Sequence, residues 1–176
     1  MQQSNIMSDL LVQIAATLIG GLLLAFVFFL IKDKLFRIPA LAGLWTFSAI
    51  TEKTSYNPFK SMTLTYLVLL VQEGNRLIGT GEKIKEVSSS GTREYEGQNR
   101  TRIQITGFIT QRFLSKSECV IHISEAGERR ESSTMHTLKV TRKGPLIGTY
   151  VSTVANQIGK VTWTRGNDSY SFSSAE

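Results

Sequence analysis

The sequence is poor in the residues that build covalent links and metal sites. Its 176 residues include one cysteine, Cys119, and two histidines, His122 and His136. A single cysteine excludes an internal disulfide framework, and this set is too small for a Cys/His-rich structural zinc site. We therefore predict a fold stabilised by packing alone, with no metal and no cofactor.

The motifs of common enzyme classes are also missing. The chain contains no G-x-S-x-G, no H-E-x-x-H, no P-loop and no complete G-x-G-x-x-G. The fragment Gly79-Thr80-Gly81 within a strand indicates a bulge or a close backbone approach. Cys119 and His136 could meet across a hairpin, but such a contact is far more often structural than catalytic. We predict that the protein is not an enzyme and has no catalytic residues.

The charge balance limits the partners. Hydrophobic residues make up 41% and charged residues 19% of the chain, and the net charge is +6. This composition is typical of a globular protein, and the charge is too small for a dense coating of DNA. We expect no DNA partner, whereas an anionic small ligand or a lipid bilayer is compatible with these values.

One long segment carries no charge. Leu10 to Ile31 is a run of 22 apolar or uncharged residues, which as a helix spans about 33 Å against a hydrocarbon core of about 30 Å. We predict a transmembrane segment at 1–36 with its membrane helix at about 10–31, a linker at 37–42 and a β-barrel domain at 43–176.

A cleaved signal peptide is the alternative for this segment, because Ala40-Leu41-Ala42 resembles a cleavage site. No Lys or Arg precedes the apolar run, and the run is longer than a usual signal-peptide core. These features favour a single-pass anchor. Lys32, Lys34 and Arg37 follow the run, so the positive-inside rule predicts an outside N-terminus and a cytoplasmic C-terminal domain.

The helix also carries small residues at a spacing of four. Gln13, Thr17, Gly21 and Ala25 fall along one ridge. Small residues let helix backbones approach closely, and a buried amide can hydrogen-bond across the contact. This ridge predicts a homo-oligomer, although glycine and alanine are also frequent in membrane helices without any such role.

After residue 42 the hydrophobic period changes to two, which indicates β-strands. Short turns rich in Gly, Asn, Ser and Pro separate eight predicted strands. These are 44–53, 60–73, 76–87, 101–112, 117–124, 133–143, 146–154 and 158–165. Consecutive strands with short connections favour an eight-stranded up-and-down antiparallel barrel, a mainly β fold with no open edge. A two-sheet sandwich is the alternative.

A barrel of this size has room for one small ligand. Aromatic rings would suit the bases of a nucleotide, and the planar arginine fork would suit its phosphates. The candidate ligand-binding residues are Tyr66, Arg102, Arg112, Arg142, Tyr150 and Trp163. The alternatives are ordinary core packing for the aromatic residues and a solvated strand face for the arginines.

Two further residues suggest how one end of the barrel closes. Gly43-Leu44-Trp45 opens the first strand, and Arg165 lies on the last. This arrangement is similar to the G-x-W and Arg pairing of lipocalins, in which the Arg packs over the Trp. We interpret Trp45 and Arg165 as barrel-end packing rather than as ligand contacts.

The order of elements, from the apolar run Leu10–Ile31 to the strand Thr162-Trp163-Thr164-Arg165, resembles a known family. It looks like the transmembrane, β-strand-rich, SMODS-associating effectors of bacterial CBASS anti-phage operons. The family pattern has two membrane segments, whereas this sequence offers one.

The resemblance implies a role in antiviral defence. A partner nucleotidyltransferase would make a cyclic di- or oligonucleotide, and the cytosolic barrel would bind it. The membrane helices would then assemble, and disruption of the inner membrane would kill the infected cell, an outcome called abortive infection. Two other functions stay open: a membrane-tethered, lipocalin-like carrier of an apolar ligand, and a structural subunit of an envelope complex.

Overall fold

The computed structural model describes residues 2–35, 38–112, 116–126, 131–141 and 144–166. The chain divides into two compact units, Met1–Arg37 and Ile38–Glu176. The first unit contains the helix α1, and the second contains every strand of the described residues.

Helix α1 runs from Gln2 to Leu35 and extends beyond both ends of the predicted membrane helix. Its segment Asp9–Ile31 has a mean hydropathy of 2.7 over a membrane-length window and is long and apolar enough to cross a membrane. The side chains of residues 9–31 are exposed within the chain. Inside the helix, the Thr17 hydroxyl donates a hydrogen bond of 2.8 Å to the Gln13 carbonyl oxygen.

The second unit is a closed antiparallel β-barrel of eight strands, as predicted. Each barrel strand pairs with its neighbours along the chain, and β1 pairs with β9 to close the sheet. In the described residues, a ninth, short strand, β4, pairs with the end of β3 and with no other strand. The strands are β1 (Gly43–Lys53), β2 (Thr63–Glu73), β3 (Arg76–Ser88), β4 (Gly91–Glu94), β5 (Arg102–Thr110), β6 (Glu118–Ala126), β7 (Glu131–Lys139), β8 (Leu146–Ser152) and β9 (Gln157–Arg165).

The strand boundaries differ from the prediction mainly where turns intervene. Strand β2 begins at Thr63 rather than at residue 60, because Asn57–Phe59 form a 3₁₀ turn and Ser61 has a φ of +61°. Strand β8 ends at Ser152 because Val154–Asn156 form another 3₁₀ turn. Strand β4 was not predicted, since its four exposed residues have no apolar face to pack.

The barrel interior is filled at one end and open at the other. At the packed end, where β1 begins and β9 ends, large apolar side chains occupy the interior. These are Leu41, Trp45, Leu70, Leu77, Ile109, Cys119, Val140 and Leu146, all buried. At the open end, where β1 ends and β9 begins, several inward positions are polar, which places the candidate site there.

Candidate functional site

A cavity of about 250 Å³ enters the barrel from the open end. Side chains from seven barrel strands, from the 57–62 connection and from the turn at Val154 form its wall. The lining residues are Phe47, Ala49, Phe59, Met62, Leu64, Tyr66, Lys83, Glu86, Ile123, Glu125, Ser132, Thr134, His136, Tyr150, Ser152, Val154 and Gln157. Nine of these residues are apolar or aromatic and eight are polar or charged, so the wall combines apolar surface with hydrogen-bonding groups, as small-molecule sites do.

Three rings form a continuous stack from the cavity into the core. The Phe47 ring centroid lies 4.7 Å from that of Tyr66 and 4.6 Å from that of Trp163, with interplanar angles of 15° and 21°. His136 meets Phe47 edge-on, at 5.1 Å and 86°. The cavity therefore has a rigid aromatic wall, because each ring is held by another.

His136 presents a hydrogen-bond donor to the cavity. Its side chain is 1% exposed, and its Nδ1 accepts a 3.2 Å hydrogen bond from Trp163 Nε1. Burial lowers the pKa of His136 to about 3, so the ring is neutral and its proton is on Nε2. Among the described residues, no protein group accepts that proton. Every polar side-chain atom of these residues that is fully shielded from solvent does have a hydrogen-bond partner. Nε2 must therefore reach the open space that His136 lines.

Gln157 offers a second polar group without a protein partner. This residue is 4% exposed and lines the cavity, and its carboxamide makes no side-chain hydrogen bond within the described part of the chain. By contrast, the neighbouring hydroxyls of Tyr150 and Thr51 bond to each other at 2.6 Å. The cavity therefore holds one donor from His136 and a donor–acceptor pair from Gln157, all available to a ligand.

An ion pair borders the cavity near its mouth. Lys83 Nζ lies 2.7 Å from Glu125 Oε1, with the two side chains 14% and 18% exposed. The Tyr66 hydroxyl donates a 2.9 Å hydrogen bond to Glu125 Oε2. Burial, and then the charge of Glu125, raise the pKa of Tyr66 well above its usual value, so this phenol stays protonated. The ion pair thereby fixes the ring that forms the aromatic wall.

The structure separates the six residues predicted to bind a ligand. Tyr66 and Tyr150 line the cavity, whereas Trp163 lies behind His136 in the core. Arg102 is on the outer face of β5 near the open end. Arg112 follows β5 at the packed end and pairs with Glu118 at 2.8 Å, so it does not contact the cavity. Arg142 lies outside the described residues.

Trp45 and Arg165 meet at the packed end. The Arg165 guanidinium lies 5.0 Å from the Trp45 ring centroid and bonds to the Ala40 carbonyl oxygen. Trp45 Nε1 donates a 2.8 Å hydrogen bond to the Leu41 carbonyl oxygen. Neither residue lines the cavity.

Cys119 and His136 do not form a dyad. Cys119 stands opposite Leu138 in the β6–β7 pairing, and His136 stands opposite Ile121. Burial raises the pKa of the Cys119 thiol to about 12, so it is protonated at neutral pH. His136 Nδ1 is already occupied by Trp163. The described residues also contain no group of three or more His, Cys, Asp or Glu arranged to hold a metal ion.

Sequence reasoning missed the two residues that define the polar character of the cavity. His136 lies two and four residues from the inward-facing Leu138 and Val140, so the alternation of the strand predicts that its side chain points into the barrel. Gln157 was excluded because the predicted last strand began at residue 158, one position late. Extending the alternation of Val161 and Trp163 backwards by four residues would have placed Gln157 inside.

Comparisons of the chain with protein-family models, with curated proteins and with solved structures found no match. The fold and the site geometry are therefore the grounds for a functional interpretation.

Proposed function

We propose that this protein is a membrane-anchored effector of a CBASS anti-phage system, whose barrel binds a cyclic nucleotide made by a partner nucleotidyltransferase. The single observation that carries the proposal is the interior cavity, with its aromatic wall and the unpartnered polar groups of His136 and Gln157. A purine or pyrimidine ring combines an apolar face with a hydrogen-bonding edge, which suits a cavity lined by both apolar side chains and polar groups.

The size of the cavity determines which part of the ligand enters. At about 250 Å³ it falls below the range of about 300–1,000 Å³ that encloses a drug-sized molecule. One base therefore fits, and the sugar–phosphate ring of a cyclic nucleotide stays outside. Glu86 and Glu125 near the mouth favour a neutral group inside over an anionic one.

Binding would be coupled to the membrane through assembly. In this proposal the N-terminus is outside the bacterial inner membrane, the barrel is cytoplasmic, and ligand binding favours an oligomer by differential affinity. The helices would associate along Gln13, Thr17, Gly21 and Ala25, and the assembled helices would disrupt the membrane in abortive infection.

Binding is tested with the full-length chain in lipid nanodiscs. Cyclic di- and trinucleotides and their linear counterparts are titrated by isothermal calorimetry. We expect one cyclic nucleotide to bind in the micromolar range or tighter and the linear compounds not to bind. Absence of binding by every cyclic compound to a demonstrably folded chain would contradict the proposal.

Assembly is tested by Gly21→Leu. A side chain at Gly21 meets nothing within 4 Å in the chain, so the substitution should leave a single helix intact while blocking close helix approach. Ala15→Leu, about 120° round the helix, is the matched control. We expect ligand-induced crosslinking and cell killing to be lost only in Gly21→Leu. Loss in neither variant would contradict assembly through this face.

One observation favours a second function, an assembly subunit of an envelope complex. Leu69 and Val71 are exposed on the outer face of β2, and exposed apolar patches often mark protein contacts. The carrier of an apolar ligand receives no such support, because the cavity contains unpartnered polar groups. Constitutive capture of a larger complex without any nucleotide would favour the subunit.

A further inference from the structure

We propose that a recess lined by three arginines, outside the barrel wall near its open end, binds the phosphate groups of the ligand whose base occupies the cavity. This inference rests on the proposed function, because it assigns the remaining part of the same ligand. The recess has a volume of about 550 Å³. It is lined by Arg93, Glu94, Tyr95, Gln98, Asn99, Arg100, Thr101, Arg102 and Ala126.

Three different elements bring these arginines together. Arg93 belongs to the short strand β4, Arg100 follows the 3₁₀ turn Gly97–Asn99, and Arg102 begins β5. Strand β4 lies beside the barrel through its pairing with the end of β3. The recess therefore exists because the chain forms this additional hairpin between two barrel strands.

Arg100 and Arg102 are held by protein contacts that leave several of their N–H donors free. Arg100 Nε donates a 3.0 Å hydrogen bond to the Tyr95 carbonyl oxygen, and its Nη1 lies 3.4 Å from Glu82 Oε2. Arg102 Nε is 3.9 Å from Glu82 Oε1, and its side chain is 88% exposed. A guanidinium has five N–H donors, so both residues retain donors for the bidentate contact that phosphate oxygens favour.

The charge near the recess is positive, unlike that of the cavity mouth. Arg93, Arg100 and Arg102 stand against Glu82 and Glu94, and Glu94 is already paired with Lys85 at 2.9 Å. At the cavity mouth, by contrast, Lys83 is outnumbered by Glu86 and Glu125. An anionic group is therefore more stable in the recess than in the cavity.

The recess and the cavity are separated only by the barrel wall. Glu82 pairs with Arg102 on the outer face, while the next residue, Lys83, lines the cavity. The Lys83 backbone N–H donates a 3.0 Å hydrogen bond to the Thr101 carbonyl oxygen. On β6, Glu125 lines the cavity and Ala126 lines the recess. A ligand with a neutral ring in the cavity and phosphates in the recess would pass over the end of the barrel wall between them. A cyclic nucleotide has such a neutral base and such charged phosphates.

The test compares Arg102→Gln with Arg76→Gln in the full-length chain in nanodiscs. Arg102 is so exposed that its replacement should not affect folding, and Arg76 is an exposed arginine of β3 at the packed end. The probes are cyclic di-AMP, cyclic di-GMP and cyclic GMP–AMP, with adenosine and guanosine as phosphate-free counterparts. Affinities are measured by calorimetry at two salt concentrations.

We expect Arg102→Gln to weaken binding of the cyclic dinucleotide about tenfold and to reduce its salt dependence. Nucleoside binding should be unchanged, and Arg76→Gln should behave like the wild type. Equal affinity of the wild type and Arg102→Gln for a cyclic dinucleotide that does bind would overturn the recess assignment alone. If no cyclic compound binds the wild type, the proposed function fails, and the recess assignment fails with it.

Discussion

The two ends of the barrel use the same strands for opposite purposes. At the packed end, Trp45 and its neighbours fill the interior, and Arg165 covers the indole ring. At the open end, His136 and Gln157 take inward positions and line a cavity that the packed end does not have. The same strands therefore accommodate different interiors. The volume and polarity of the inward side chains decide which end stabilises the fold and which end binds a ligand.

This difference separates stability from recognition. Within the part of the chain that the structure describes, the packed-end core consists of apolar side chains, and the indole nitrogen of Trp45 is hydrogen-bonded to Leu41. At the open end, the polar groups of His136 and Gln157 face the cavity without a protein partner among the described residues, where a ligand or water can satisfy them. Substitutions at the two ends should therefore have different consequences, and the following predictions run from the largest expected effect to the smallest.

Trp45→Ala should have the largest effect on stability. Removing a fully buried Trp typically costs about 3–5 kcal/mol, and here it also removes the hydrogen bond to Leu41. We expect this loss in denaturant unfolding followed through the fluorescence of Trp163. Ligand affinity of the folded variant should be unchanged; a folded variant that no longer binds ligand would show that the two ends are not independent.

Acid should destabilise the open end through His136. Its pKa is about 3 in the folded protein and about 6.5 when unfolded, so between these values the unfolded chain binds the additional proton. The free energy of unfolding should therefore fall as the pH drops below 6.5, by up to about 1.4 kcal/mol per pH unit.

The comparison that isolates this effect is His136→Gln, which has no group titrating in that range. Thermal unfolding of both proteins between pH 7 and pH 5 should show a steeper loss in the wild type. Parallel curves for the two proteins would contradict burial of a neutral His136.

Arg165→Met should have the smallest effect. The exposed guanidinium contributes a cation–π contact to Trp45 at 5.0 Å, which is worth about 0.5–1 kcal/mol at exposed sites. A methionine retains part of the apolar cover while losing the charge. Denaturant unfolding should show a decrease of this order, and a decrease as large as that of Trp45→Ala would mean that Arg165 holds the packed end together.

Much of the fold follows from local patterns in the sequence. The uncharged run identifies α1, and the alternation of Trp45, Phe47 and Ala49 identifies the inward face of β1. Consecutive short turns then make a closed barrel the economical arrangement. The inward position of Gln157 and the short strand β4 were missed. Strand ends depend on turn geometry, such as the positive φ of Ala155 and Asn156, rather than on hydrophobic period.

The site was only partly predictable because it depends on how far neighbouring strands are shifted along one another. Tyr66 and Tyr150 were found by residue type and parity. The register that sets Gln157 opposite Ser152, and the shift between Thr65 and Tyr66 in the β2–β3 pairing, are set by long-range contacts. The same limit explains Arg112, whose residue type suits a phosphate but whose position at the packed end does not.

The most direct test of the central claim, that the open end recognises a base, is a comparison of Gln157→Leu with Gln104→Leu. Both replace an amide with an apolar group of similar size, but Gln157 lines the cavity and Gln104 is exposed on the outer face of β5. Affinity for the cyclic nucleotide is measured by calorimetry on the full-length proteins. The account predicts a loss of about 10- to 100-fold for Gln157→Leu and none for Gln104→Leu; equal affinities for the two variants would contradict it.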